Sequence, residues 1–373
     1  MDTLEIEHLI SELTDLDLAV LLSLVAQEHC LIETTEDCID DVSKELALIC
    51  QNTFGLSYAL LDCSQETSLD DFSNGIVAPD PVATGRHYSP HLTRHAAESR
   101  YSSFKNAHGI QEHSMSPVKD NYLDERKVVN VVIAKNFNRT HDDIQIQALE
   151  LLRSRRIFTK TAVHSTPKVF LFIPVIASDG SGTQNLPLNR HLNDHLFLSH
   201  VHEPEHGYPN LEDDDAWVSD DQASISSVVR KPSVDVHRRS SRQYKIDEEI
   251  ISKLRLARDN VFVSAEVVRY LQNIVVFLRL NRAVSGGISA KATTHFLLLA
   301  KSLAPLHGVN YLTPSIVALA AKKVYRHRIM IASADEDRSL QYGSHRDAVS
   351  RLLKDINTDA IIDNVIGEVE APL

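Results

Sequence analysis

The side chains best suited to chemistry fall into a few groups. From Glu33 to Asp41 the chain reads ETTEDCIDD, five carboxylates with neither glycine nor lysine among them. A run this dense repels anions: each like-charge pair costs ~1–2 kcal/mol at about 10 Å and an effective dielectric near 20. His87, His91 and His95 are four apart and would share a helical face as metal ligands do. Pro90 interrupts that helix, however, and no acid or cysteine completes the set, so solvated histidines are the simpler reading. His200, His202 and His206 carry the same weak pattern. The four cysteines, Cys30, Cys38, Cys50 and Cys63, have no CxxC spacing, which suggests buried apolar thiols rather than a zinc knot or a disulfide framework. Arg238 to Ser241 (RRSS) could accept phosphate from a basophilic kinase, but it lies in a stretch with the composition of a solvated linker.

These residues need elements to hold them. At 373 residues, 43% apolar and 24% charged, the chain is long enough for two domains with proper cores. Residues 12–26 place Leu13, Leu16, Val20 and Leu24 at helical spacing, ahead of a short apolar strand at Cys30 to Ile32. Another helix, spanning 42–56 and stopping near Gly55, leads to a strand at Tyr58 to Leu61. Lys168 to Ile176 (KVFLFIPVI) is the unbroken apolar run of a strand buried on both faces. Residues 247–332 predict a small helical bundle, with Ser264 capping one helix, Ser289 opening a second, Gly308 closing it, and Thr313-Pro314 starting a third. Residues 78–127 and 210–246 have little periodicity and predict a disordered insertion and a flexible linker. In the tail, 333–373, Val349, Leu352, Leu353 and Ile356 outline one amphipathic helix.

Val131 to Thr159, VVIAKNFNRTHDDIQIQALELLRSRRIFT, resembles the Walker B strand and following helix of the MoxR and magnesium-chelatase subunit I group of AAA+ ATPases. Asn138, Arg139, Gln145, Glu150 and Arg155 keep their places, but the acidic pair that holds magnesium and polarises water in that group is Lys135 and Asn136 here. His29 to Glu33 (HCLIE) is similar to the start of the group's phosphate-binding loop. By that resemblance the loop itself falls on Thr34, Thr35, Glu36, Asp37, Asp40 and Asp41, which lack the glycines and lysine that cradle phosphate. Leu192 to Leu198 resembles the group's LLDRFLF, with its finger arginine replaced by His195, and Gly207-Tyr208-Pro209 matches its GYP. RAVSGGISAKATTHFLLLAKSLAPLHGVNYLTPSIVALAAKKVYRHRI resembles the group's lid, in which the arginine that reaches nucleotide corresponds to Lys291. The terminal His327-Arg328-Ile329 reads most simply as a helix C-terminal cap.

The resemblance implies an α/β AAA+-like, P-loop NTPase-like core over 1–77 and 128–209, with a C-terminal all-α lid and disordered insertions. In the group, the strand resembled by Lys168 to Ile176 ends in a sensor asparagine, which is missing here before Asp179. Phosphate loop, acidic pair, sensor asparagine and finger arginine all depart together, which predicts a pseudo-ATPase kept as an interaction or assembly module. No cofactor is expected on this reading. The alternative is a divergent ATP-dependent magnesium-chelatase subunit, using ATP and magnesium, with phosphate contacts supplied by Arg153, Arg155, Arg156 or the basic lid. Residues 1–80 hold eighteen acids against the single Lys44, whereas 248–332 hold twelve Lys or Arg against four acids. That split predicts self-association or a protein partner. Clustered charge without interleaved aromatics, in a chain of net charge −13, argues against nucleic acid. No apolar run is long enough to span a bilayer and the first residues are acidic, so the expected location is cytoplasmic.

Overall fold

The computed structural model describes residues 12–78, 126–160, 162–178, 188–212, 228–230, 245–354 and 356–372. Apart from its ends, the insertion expected at 78–127 lies outside them, as do His87, His91, His95 and Arg238 to Ser241. Five strands, β1 (His29–Thr34), β2 (Tyr58–Asp62), β3 (Val131–Lys135), β4 (Leu171–Ala177) and β5 (Leu196–Val201), form a parallel sheet in the order β2-β3-β4-β1-β5. Every residue of β1 is buried, as is Leu171 to Ile176 of β4, because helices cover both faces. This burial explains the continuous apolar runs read from the sequence. Within the stretch read as a linker, β6 (Val228–Arg230) adds an antiparallel edge to β2.

On one face lie α1 (Asp15–Ala26) and α2 (Ile39–Leu48). Thr14 starts α1 through a capping box with Asp17, and Leu16, Val20, Leu21 and Leu24 bury its stripe. The other face carries α3 (Leu69–Gly75), α4 (Asp142–Ser154) and the short α5 (Arg190–His195) around Phe72, Phe137 and Phe172.

The C-terminal helices are α6 (Glu248–Asp259), α7 (Ala265–Leu280), α8 (Ala290–Leu306) and α9 (Pro314–Tyr325). Ser264, Ser289 and Thr313 accept from the backbone N–H groups of Val267, Ala292 and Ile316, so each predicted start is an N-cap. The tail forms α10 (Arg346–Leu353) and also α11 (Thr358–Glu368), which the apolar spacing did not single out. Ile361, Ile362 and Val365 of α11 are buried, and Lys322–Asp363 (2.6 Å) and Arg326–Asp359 (3.1 Å) pin it to the α9 end of the bundle.

Sheet and bundle share one apolar core. Two arginines of the bundle are held within the chain: Arg255 donates to Leu24 O (2.7 Å) and Arg258 to Val25 O (2.9 Å), capping the C-terminal end of α1 where the helix dipole favours cations. Arg328 is buried, and its guanidinium donates to Val324 O (2.7 Å) and to the carbonyls of Asp194, Leu196 and Phe197 at the start of β5. The bond to Val324 is the expected helix cap. The others make Arg328 a clamp between bundle and sheet, joined by His327 Nε2 to Leu196 O (3.0 Å), Asn193 to His327 O (2.6 Å) and Ser289 to Asp194 (2.5 Å).

Candidate functional site

In an open parallel sheet, ligands bind outside the carboxyl ends of the strands, beside a reversal of strand order. Here that place is the end of β1, flanked by β4 and β5. Thr34 is the last residue of β1, not part of a loop: its carbonyl accepts from Ser178 N (2.8 Å), and Glu33 O accepts from His202 N (2.9 Å). Only Thr35 to Cys38 link β1 to α2, in a single tight turn, and Cys38 provides no side-chain cap. None of these four is a glycine, the residue type whose freedom lets successive N–H groups of a phosphate loop curl around an anion.

The end of β3 supplies the rest. The Lys135 ammonium lies 2.6 Å from Asp40 Oδ1 and 3.3 Å from Asp62 Oδ2. Burial pulls its pKa down, but the hydrogen bond to Asp40 and the charge of Asp62 outweigh that and hold it above the usual lysine value. Arg139 pairs with Glu36, and Lys44 lies 3.9 Å from Asp41. Glu33 is buried; burial raises its carboxyl pKa, and the charges acting on it are those of Arg326, Lys323 and Asp359 from the bundle and tail. The structure therefore amends the simple picture of five uncompensated acids: Glu36, Asp40 and Asp41 have cations beside them. Asn136 turns its backbone into the left-handed region (φ 53°), donates N–H to Val175 O (2.8 Å) and buries its Oδ1.

His195 and Lys291 lie at the opposite, amino end of the sheet. His195 ends α5 just ahead of β5, with Nδ1 2.9 Å from His191 O, and Lys291 sits in the first turn of α8, half-buried. Burial lowers the Lys291 pKa, against the opposing charges of Glu28 and Asp194, and burial likewise lowers that of His195. Arg155 reaches Gln27 O (3.4 Å), so the Arg153–Arg156 cluster belongs to this end too. β1 spans six residues, about 17 Å at roughly 3.3 Å per residue. Within one chain, the four positions picked out by resemblance thus form two separate pairs of loci.

His200, His202 and His206 do come together. The His202 ring centroid is 6.4 Å from that of His200, 5.6 Å from that of His206 and 5.3 Å from that of Tyr208. Among the described residues, no group of three or more His, Cys, Asp or Glu is placed to hold a metal ion. The sequence reading missed the Arg328 clamp and the contact between Lys323 and His200 (3.1 Å). The sequence marked Arg328 only as a cap just past α9, and Lys323 only as one of two adjacent lysines on an otherwise apolar helix.

No helix among the described residues is long and apolar enough to cross a membrane. Residues 277–350 match the AAA lid domain family. A protein of Kluyveromyces lactis named maintenance of telomere capping protein 2 is 31% identical over 108 residues, 28% of this chain and 39% of that protein. Its namesake in Lachancea thermotolerans is 31% identical over 112 residues, covering 29% and 39%. The match thus spans well under half the length of these curated relatives. The crystal structure of a presumed ATPase from Cytophaga hutchinsonii superposes with a TM-score of 0.59, at 13% identity, over 100% of this chain and 97% of the other. With its parallel sheet, flanking helices and lid-matching bundle, the chain has the AAA+ fold, an α/β core carrying an AAA lid.

Proposed function

We propose that the chain is a pseudo-ATPase, an AAA+-fold assembly module that neither binds nor hydrolyses ATP. The observation that carries this reading is Lys135, a cation held between Asp40 and Asp62 where catalysis would need a magnesium-binding acid. The glycine-free turn Thr35–Cys38 between β1 and α2 supports it. An equilibrium titration with a fluorescent ATP analogue, with and without magnesium, tests it: no saturable binding up to millimolar nucleotide is the expected result. Saturable, magnesium-dependent binding accompanied by turnover would instead favour the ATP-driven chelatase-type subunit.

Assembly is the second half of the proposal. His195 and Lys291 sit a strand's length from the end of β1, so only a second copy could bring them to that end. The acidic N-terminal half and basic bundle give two copies complementary faces. Light scattering should show mass rising with concentration and falling in high salt; a monomer throughout would exclude self-association. The names of the yeast relatives take the reading one step further, to upkeep of telomere caps and a nuclear rather than cytoplasmic setting. Imaging the tagged full chain distinguishes the two locations.

A further inference from the structure

A cavity of about 410 Å³ opens between α1, β5 and the lid helices α8 and α9. Its walls are apolar, formed chiefly by Leu18, Leu22, Leu198, Leu299, Leu303 and Leu306. The volume falls in the range of small-molecule sites, which pair an apolar lining with a few convergent polar groups. Here those groups are Lys323 and His200, with Asp15 and His307 also on the lining.

One feature of this polar end points to a missing partner. The Lys323 ammonium is half-buried and makes a 3.1 Å contact with His200 Nδ1, yet among the described residues no carboxylate lies within 4.0 Å of it. Asp15, Glu33 and Asp359 act on it from farther away, and Arg326 adds a like charge. An ammonium drawn from water without a counter-charge is costly. An ammonium can only donate, so His200 Nδ1 accepts and the proton of the neutral ring sits on Nε2. The neutral ring thus gives Lys323 a hydrogen bond but no counter-charge, and its own Nε2–H has no exposed surface. Burial and the nearby Lys323 charge push the His200 pKa down to about 3, which keeps the ring neutral.

We propose that this cavity binds a small amphiphilic carboxylate, its alkyl chain among the leucines and its carboxylate paired with the Lys323 ammonium. A ligand seated there would touch α1 and β5 on one side and α8 and α9 on the other, joining core to lid. The site is independent of the nucleotide question, because its lining includes no residue at the end of β1 or β3.

Calorimetric titration of the full chain with decanoate, below its micellar concentration, tests the proposal against decan-1-ol as the uncharged counterpart. Decanoate should bind once per chain and at least tenfold tighter than decanol. Lys323→Met should weaken decanoate at least tenfold and leave decanol unchanged. Equal affinity for the two ligands, or undiminished decanoate binding by Lys323→Met, would overturn the assignment. If Lys323→Met fails to fold, Leu319→Trp serves instead, since Leu319 lies on the lining and is 38% exposed. Filling that edge should abolish decanoate binding, and unaltered binding would refute the site. Binding seen only after residues 1–11 are removed would also refute it, assigning the cavity to the chain's own N-terminal segment.

Discussion

Lys135 illustrates how one side chain can change what a site does. An acid there would face Asp40 and Asp62 and need a divalent cation; the ammonium supplies the positive charge itself. Lys135→Ala should therefore bring the two carboxylates into mutual repulsion. The side chains of Asp40 and Asp62 are 67% and 63% exposed, so screening limits the effect to about 1 kcal/mol. A urea titration should show that loss at low salt and most of it gone in 0.5 M salt. Lys135 and Asn136 were legible in the sequence as departures from the resembled strand. The pairing of Lys135 with Asp40 was not, because the two lie 95 positions apart and only the folded sheet brings the end of β3 up to the start of α2. For the same reason, the acids at the start of α2 read as a repulsive cluster when their cations were invisible.

Among elements, the start of β5 meets the bundle at Arg328, beside the antiparallel pair of Val284–Gly286 with Met330–Ile331. Gly287 has φ +95°, and a Cβ there would stand 1.8 Å from the Arg328 carbonyl. Gly287→Ala should displace the Arg328 backbone and with it the clamp, costing several kcal/mol by combined backbone strain and lost hydrogen bonds. Arg328→Ala should cost about 3–5 kcal/mol, since it strips buried carbonyls of their donor. For both variants, limited proteolysis should cut between sheet and bundle sooner than in the parent chain. Unchanged digestion would show that the apolar core alone holds the lid. The helices were legible because their signals are local: Ser264, Ser289 and Thr313 are caps within three residues of what they cap. β6 and α11 were not, because β6 depends on β2 for its pairing and α11 on the bundle for its buried face.

For the whole molecule, buried histidines set the response to acid. Burial lowers His29 to about 3 and His327 well below the usual imidazole value, and both must charge when the chain unfolds. A histidine depressed in the fold contributes stability that is complete above pH 6.5 and is lost as pH falls toward 3. Between pH 7.5 and 5.5, the parent should lose about 1 kcal/mol more than His29→Asn, read from urea midpoints. Glu33 works the other way. Its raised carboxyl favours the fold below pH 4.5 and loses that advantage as pH climbs, so Glu33→Gln should be more stable than the parent at pH 7.5, with the gain gone near pH 4. Parallel slopes for parent and variants would exclude these groups as the source.

The Arg328 clamp has one more consequence. A ring motor turns chemical energy into a stroke by letting its helical part pivot against its sheet each cycle. Here that pivot is bolted by a guanidinium out of reach of solvent and by arginines fastened to the last turn of α1. Any swing would have to tear these contacts away together, so sheet and bundle should turn as one piece.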